Sequence, residues 1–209
     1  MPQEEPKFKE TLWEWRAFVP RVDSDTRKKI LNLPKKHGKP LTMNDRYICR
    51  IGSSTNIKIR VRDLRIKRLA TVSKNGVNLF TTEAYNFPLS VNVFEDLTNA
   101  LNIALPKIEV RDGDQLISIL SHSTPSIRIV DVLKHRELYK WPPDDPDGVV
   151  IELAEINMPE KVNSISVEHH DLKKVDEAMK CLRLQTLSMR VINYSECIKV
   201  WVEGKRLFE

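Results

Sequence analysis

The chain has 209 residues, 41% of them hydrophobic and 30% charged, with only six glycines; this suits one globular domain with its own core and argues against disorder. Thirty-four basic residues stand against 29 acidic ones for a net charge of +5, which excludes a polycationic tail but leaves room for a local basic site. The cysteines, Cys49, Cys181 and Cys197, are too few and too far apart for a disulfide framework or a CxxC metal site, and no run of about 20 apolar residues could span a bilayer. The polar, acidic start MPQEEPKFKE lacks the apolar centre of a signal peptide. A soluble cytoplasmic protein, with no membrane partner, is the expectation.

Residues 10–18, ETLWEWRAF, alternate as a strand: Glu10, Leu12, Glu14, Arg16 and Phe18 share one face, and Thr11, Trp13, Trp15 and Ala17 the other. A Lys-rich stretch between Pro20 and Pro40 follows, broken at Pro34 and Gly38, with a short helix predicted over Asp23–Leu31. DRYICRI (45–51) reads as a strand and GSSTN as a turn. Residues 57–62 and 64–70 then form a predicted hairpin turning at Arg62 and Asp63. Its first strand sets Lys58 and Arg60 opposite Ile57, Ile59 and Val61, and its second sets Arg65 and Lys67 opposite Leu64 and Ile66. Each strand has one basic and one apolar side.

Gly76 ends that extended run, and GVNLFTTEAYNFPLS holds a further strand. Helical spacing runs from Phe94 to Leu105 and again over Gln115–His122. Ile127–Tyr139 alternates, with Arg128, Val130, Val132, Lys134 and Arg136 on one face. After the turn-rich PPDDPDG, strands are predicted at 149–156, carrying Glu152, and at 164–168, carrying Glu168 on the face of Ser164 and Ser166. Asp171 is placed to cap a helix with Leu172, Val175, Met179 and Leu182 on its apolar side, and NYSECIKVWV reads as a closing strand.

Antiparallel strands that are charged on one face and apolar on the other cannot stack as a sandwich with two apolar inner faces. A closed barrel resolves this, with charged faces lining a lumen and apolar faces carrying helices. Converging Lys and Arg in a confined space call for a ligand as anionic as a triphosphate. Glutamates in the same space would repel it unless Mg²⁺ or Mn²⁺, hard ions that prefer oxygen, came between.

The run of EWR, DRYICR, NIKIRVRDLRIKRL, VDVLKHRELY, VVIELAEI, SISVEHHDL and NYSECIKVWV resembles the CYTH superfamily, the triphosphate tunnel metalloenzymes, over about residues 8–203. The resemblance implies an α+β fold, a closed antiparallel eight-stranded β-tunnel open at both ends with flanking helices. It also implies a single tunnel domain over 1–209 that hydrolyses tripolyphosphate or an organic triphosphate with a divalent metal. Glu14, Glu152 and Glu168 correspond to catalytic metal ligands, and Arg16, Lys58, Arg60, Lys67, Lys134 and Arg136 to phosphate-binding residues. The family's Glu-x-Glu-x-Lys signature falls on Leu12, Glu14 and Arg16, so only the middle Glu is retained; Leu12 offers no oxygen, and Glu10 sits about 6–7 Å farther along the same face.

Several alternatives stand beside that reading. The basic hairpin could be a solvated surface, and the three glutamates could pair across strands with the cations and need no metal. The protein could bind triphosphate, polyphosphate or an RNA 5′ end without catalysis, or bind RNA generally through an exposed basic sheet. The partner expected is a triphosphate-bearing small molecule, with a homodimer open. Trp13, Trp15 and Trp201 are expected to pack in the core or barrel wall, and His169 and His170 to diverge at a strand end. No P-loop, nucleophile-elbow or zincin string occurs.

Overall fold

Strand segments with period-two patterning form β1 (Phe8–Val19), β2 (Leu41–Arg50), β3 (Asn56–Arg60), β4 (Asp63–Val72), β5 (Asn78–Asn86), β6 (Ile127–Trp141), β7 (Val149–Ile156), β8 (Val162–His169) and the two-residue β9 (Arg190–Val191). Helices are α1 (Ser24–Leu31), α2 (Val91–Leu101), α3 (Gly113–Ser123), α4 (Leu172–Cys181) and α5 (Tyr194–Val202). This computed structural model describes residues 6–36, 39–50, 55–184 and 189–208. Gly38, the last residue of the expected 45–51 strand and residues 52–54 of the expected GSSTN turn lie outside them.

The first strand closes the sheet because it changes partner along its length. Phe8–Glu14 pair with β5, whereas Trp13–Val19 pair with β8. The order β1-β5-β4-β3-β2-β6-β7-β8 therefore returns to β1 as a closed, antiparallel, eight-stranded barrel, leaving none of these strands as a free edge. β9 adds to Ala17 and Phe18 where β5 has ended.

Apolar outer faces dictate where the helices dock. Trp15, Ala17, Ile151, Leu153, Ile165 and Val167 are buried against Val175, Ala178, Met179 and Leu182, most of them on α4, and Ile30 of α1 joins them. On the opposite wall, Ile57, Ile59, Leu64 and Ile66 are covered by Phe94, Leu97 and Leu101 of α2 and by Leu116 and Leu120 of α3. The apolar half of the basic hairpin therefore faces a helical layer, which turns its Lys and Arg inward. At about 25 cal/mol per Å² of apolar surface, this burial is the main force holding the barrel walls to their helices.

Four expectations are corrected here. The segment read as a final strand is α5: Asn193 accepts from the Glu196 N–H while the Glu196 side chain accepts from the Asn193 N–H, a reciprocal cap. Tyr194, Cys197 and Ile198 are then brought to one buried side; the alternating β-branched Ile198, Val200 and Val202 had imitated a strand. Helix α2 begins at Val91, after the Ser90 cap, and ends at Leu101, where Asn102 turns left-handed at φ 51°, so Leu105 lies beyond it. The hairpin turns at Val61 and Arg62, because Arg60 pairs with Asp63; Val61 is 86% exposed and leaves the apolar face. The barrel, finally, is not open at both ends. α5 lies across one of them, where Tyr194, Cys197 and Ile198 fill the lumen with Phe18, Tyr47, Val132, Ile156 and Val162. The tunnel is a cup.

Candidate functional site: a charged cup in the barrel lumen

Successive inward positions on each strand deliver the charged side chains. Glu14 and Arg16 come from β1, Lys58 and Arg60 from β3, Arg65 and Lys67 from β4, Lys134 and Arg136 from β6, Glu152 from β7 and Glu168 from β8. All line one cavity of about 220 Å³, along with Glu10, Leu12, Asn56, Phe80 and, at its base, Tyr194. Every site residue expected from the sequence is thus brought to one place. The volume lies below the about 300 Å³ at which drug-sized pockets begin, and the lining is dominated by charge, so the cup suits a compact ionic group.

The charges divide into two halves. In the acidic half, Arg16 sits at the focus of the three glutamates: its Nε donates to Glu14 Oε1 at 3.1 Å, Nη1 to Glu152 Oε1 at 3.0 Å and Nη2 to Glu168 Oε1 at 3.1 Å. Nη1 also donates to Ser164 Oγ at 3.2 Å, and the guanidinium carbon lies 4.7 Å from the centroid of the Tyr194 ring. Lys67 donates to the other oxygen of Glu14. Arg136 Nε lies 3.0 Å from Glu152 Oε2, an ion pair without hydrogen-bond alignment. Ser166 Oγ donates to Glu168 Oε1 at 3.0 Å. Three cations thus meet three carboxylates, the cross-strand pairing that the sequence left open as an alternative.

The basic half is built differently, around Asp45, which is fully buried. Arg60 holds it by two bonds, Nε to Oδ1 at 2.7 Å and Nη2 to Oδ2 at 2.6 Å. Lys134 Nζ is 3.3 Å and Lys58 Nζ 3.7 Å from Oδ2. Three cations here share one carboxylate, and Arg65 stands beside them, 3.5 Å from Asp63. This half carries the surplus of positive charge.

Protonation preferences follow from that layout. Burial would raise Asp45, but Lys58, Arg60 and Lys134 hold it well below the usual carboxylate range. Burial likewise opposes the ionisation of Glu14, yet Lys67 and Arg16 bring it down to about 2. Glu152 is depressed by Arg16 and Arg136 against the same desolvation. Glu168 moves the other way: burial raises it and the charge of Glu14 adds to the rise. Lys58 and Arg65 are both lowered, first by burial and then by the charge of Arg60. An anion placed among them would relieve that crowding.

Asp45, Arg65 and Tyr194 were not assigned to the site from sequence. Asp45 had one available signal, an acid sharing a strand face with Tyr47 and Cys49 beside a basic hairpin; Tyr194 had none once its segment was read as a strand. His169 and His170 also depart from expectation, since their ring centroids are 4.0 Å apart. The chain leaves β8 at this point and folds both rings toward Asp147. His169 has both nitrogens engaged, Nδ1 accepting from the Asp171 N–H at 2.9 Å and Nε2 against the Asp147 carbonyl at 2.8 Å. Trp15 is buried and Trp13 packs beside it, while Trp201 packs against the α5 cluster and donates to Glu160 at 2.8 Å.

No family model matches the chain and no curated protein matches it. Among solved structures, it is similar to HpAC1 of Hippeastrum, described as having a dominant triphosphatase activity, at 14% identity over 95% of this chain and 98% of that one, with a TM-score of 0.54. It is also similar to the PH1012 protein of Pyrococcus horikoshii OT3 at 17% identity, over 88% of this chain and 98% of that one, with a TM-score of 0.53. At these identities the likeness is one of fold. None of the described helices is long and apolar enough to cross a membrane.

Proposed function

We propose that the cup binds the triphosphate end of a small molecule, with Lys58, Arg60, Arg65 and Lys134 as its anion-binding wall. The observation that carries this reading is the surplus of charge at Asp45, where one buried carboxylate is shared by three cations. Phosphate oxygens accept from guanidinium and ammonium groups through strong charge-assisted bonds, and low-dielectric walls strengthen them. Lys67 and Arg136 can each donate to the same chain of phosphates while staying paired with Glu14 and Glu152. The remainder of the ligand would project past Phe8 and Glu10 at the open end.

Hydrolysis is the second reading. The Hippeastrum structure of similar fold is described by its triphosphatase activity, and the Glu168 side chain, 27% exposed, is the most accessible acid of the triad. The Mg²⁺ or Mn²⁺ expected from the resemblance does not fit this triad as folded. Both oxygens of Glu14 and of Glu152 and one of Glu168 are committed to cations or a hydroxyl, whereas such an ion needs about six oxygen ligands.

Calorimetric titration with tripolyphosphate, together with a phosphate-release assay, tests both readings. Saturable heat that disappears in the Arg60→Ala/Lys134→Ala double variant is expected. Retention of full affinity in that variant would refute the assignment of the wall, and phosphate release that Glu168→Gln abolishes would establish the second reading.

A further inference from the structure

We infer that Arg16 stands in the place of a divalent cation, so that the cup binds a free, metal-free triphosphate chain. This rests on the proposed function and names the ionic form of the ligand that the site accepts.

The cradle around Arg16 has the chemistry of a guanidinium site. Its three carboxylates accept from Nε, Nη1 and Nη2, the fork that a planar donor requires and a spherical ion does not. Its fourth wall is the Tyr194 ring, 4.7 Å from the guanidinium carbon; an aromatic face attracts an organic cation and offers no oxygen to a hard metal. Leu12, on the same lumen face one step before Glu14, contributes hydrocarbon where another oxygen ligand would be needed. The guanidinium is itself held firmly charged, since the surrounding carboxylates outweigh its burial and raise its pKa well above normal.

The electrostatic consequence is local neutrality. Arg16, Lys67 and Arg136 match Glu14, Glu152 and Glu168 charge for charge. An incoming polyphosphate at the Asp45 wall then meets no uncompensated carboxylate across the lumen, the repulsion that a bridging metal would otherwise have to remove. A metal already bound to the phosphates would instead bring its charge against Arg16 and Lys67.

The test uses the full chain and two probes. Mn²⁺ alone is followed by the loss of its free-ion electron paramagnetic resonance signal, and tripolyphosphate by calorimetry in EDTA and in Mn²⁺. The expected results are no Mn²⁺ uptake by the wild-type protein and tripolyphosphate binding at least as tight in EDTA as in Mn²⁺. Arg16→Ala, which takes the countercharge from the three glutamates, should weaken tripolyphosphate binding in EDTA by about tenfold or more. Stoichiometric Mn²⁺ uptake by the wild type, or tripolyphosphate binding only when Mn²⁺ is present, would overturn the inference and leave the proposed function standing. A folded Arg16→Ala protein that binds tripolyphosphate in EDTA as tightly as the wild type would also overturn it; if that variant does not fold, the wild-type measurements decide. Absence of tripolyphosphate binding in both buffers would instead remove the proposed function, and the inference with it.

Discussion

Replacing Asp45 by Asn keeps the shape of the side chain and removes its charge. Arg60 would lose both charge-assisted bonds, at 2.7 and 2.6 Å, and Lys134, only 2% exposed, would lose the carboxylate that neutralises it. Removing one partner of a buried ion pair costs about 3–5 kcal/mol because the other charge stays behind. With an unfolding entropy of about 2.1 cal/mol/K per residue over 209 residues, that is a fall in Tm of about 7–11 °C. The same change leaves three cations unshared, so the variant should bind tripolyphosphate more tightly than the wild type. A ligand at about 100 times its Kd adds about 2.7 kcal/mol, and about 6 °C of the loss should return when it is added. Circular dichroism melts in a phosphate-free buffer, with and without tripolyphosphate, measure both arms. An unchanged Tm would show that Asp45 does not anchor the basic wall, and a lower Tm with no ligand-dependent recovery would show that the freed cations do not receive phosphate.

Acid should unfold the barrel through its glutamates. Glu14 is held at about 2 in the folded state against a reference of 4.5, so its contribution is complete above about pH 4.5 and lost as pH falls toward about 2, which urea midpoints across that range would follow. Glu168 has the opposite sign: its raised pKa makes ionisation unfavourable in the folded state, a contribution present at low pH and lost as pH rises through that pKa. Glu168→Gln should therefore be tolerated better at pH 7 than Glu14→Gln, and equal urea midpoints for the two would contradict the charge layout. At the closed end, the Tyr194 hydroxyl finds no hydrogen-bond partner among the described residues, so Tyr194→Phe should change stability by less than about 1 kcal/mol. Tyr194→Ala removes the ring that stacks on Tyr47 at 5.5 Å and meets Phe18 edge-on at 5.3 Å, and should cost about 3–5 kcal/mol in chemical denaturation.

Legibility followed the range of the physics. Alternation in ETLWEWRAF and NIKIRVRDLRIKRL is a property of adjacent residues, and it correctly assigned Glu14 and Arg16 to one face and Lys58 and Arg60 to another. Caps are equally local, so Asp23 and Asp171 marked the starts of α1 and α4. NYSECIKVWV satisfied a strand pattern through its β-branched residues and a helix pattern through Tyr194, Cys197 and Ile198. The Asn193–Glu196 cap was a local signal for the helix, and the apolar end of the barrel favours the same conformation.

The amino-acid order by itself determined an amphipathic strand set, its turns in outline, and the charged side chains that had to share an interior. Tertiary structure alone decided which opposite charges meet. Glu14, Glu152 and Glu168 lie on three strands, and their convergence on Arg16 depends on the register of β1 with β8 and β8 with β7. Asp45 reaches Arg60 and Lys134 because β2 is paired on both sides, with β3 and with β6. Strand patterning is written in neighbours two residues apart, whereas Coulomb partners here are separated by as many as 152 residues, and only closure of the barrel brings them within bonding distance.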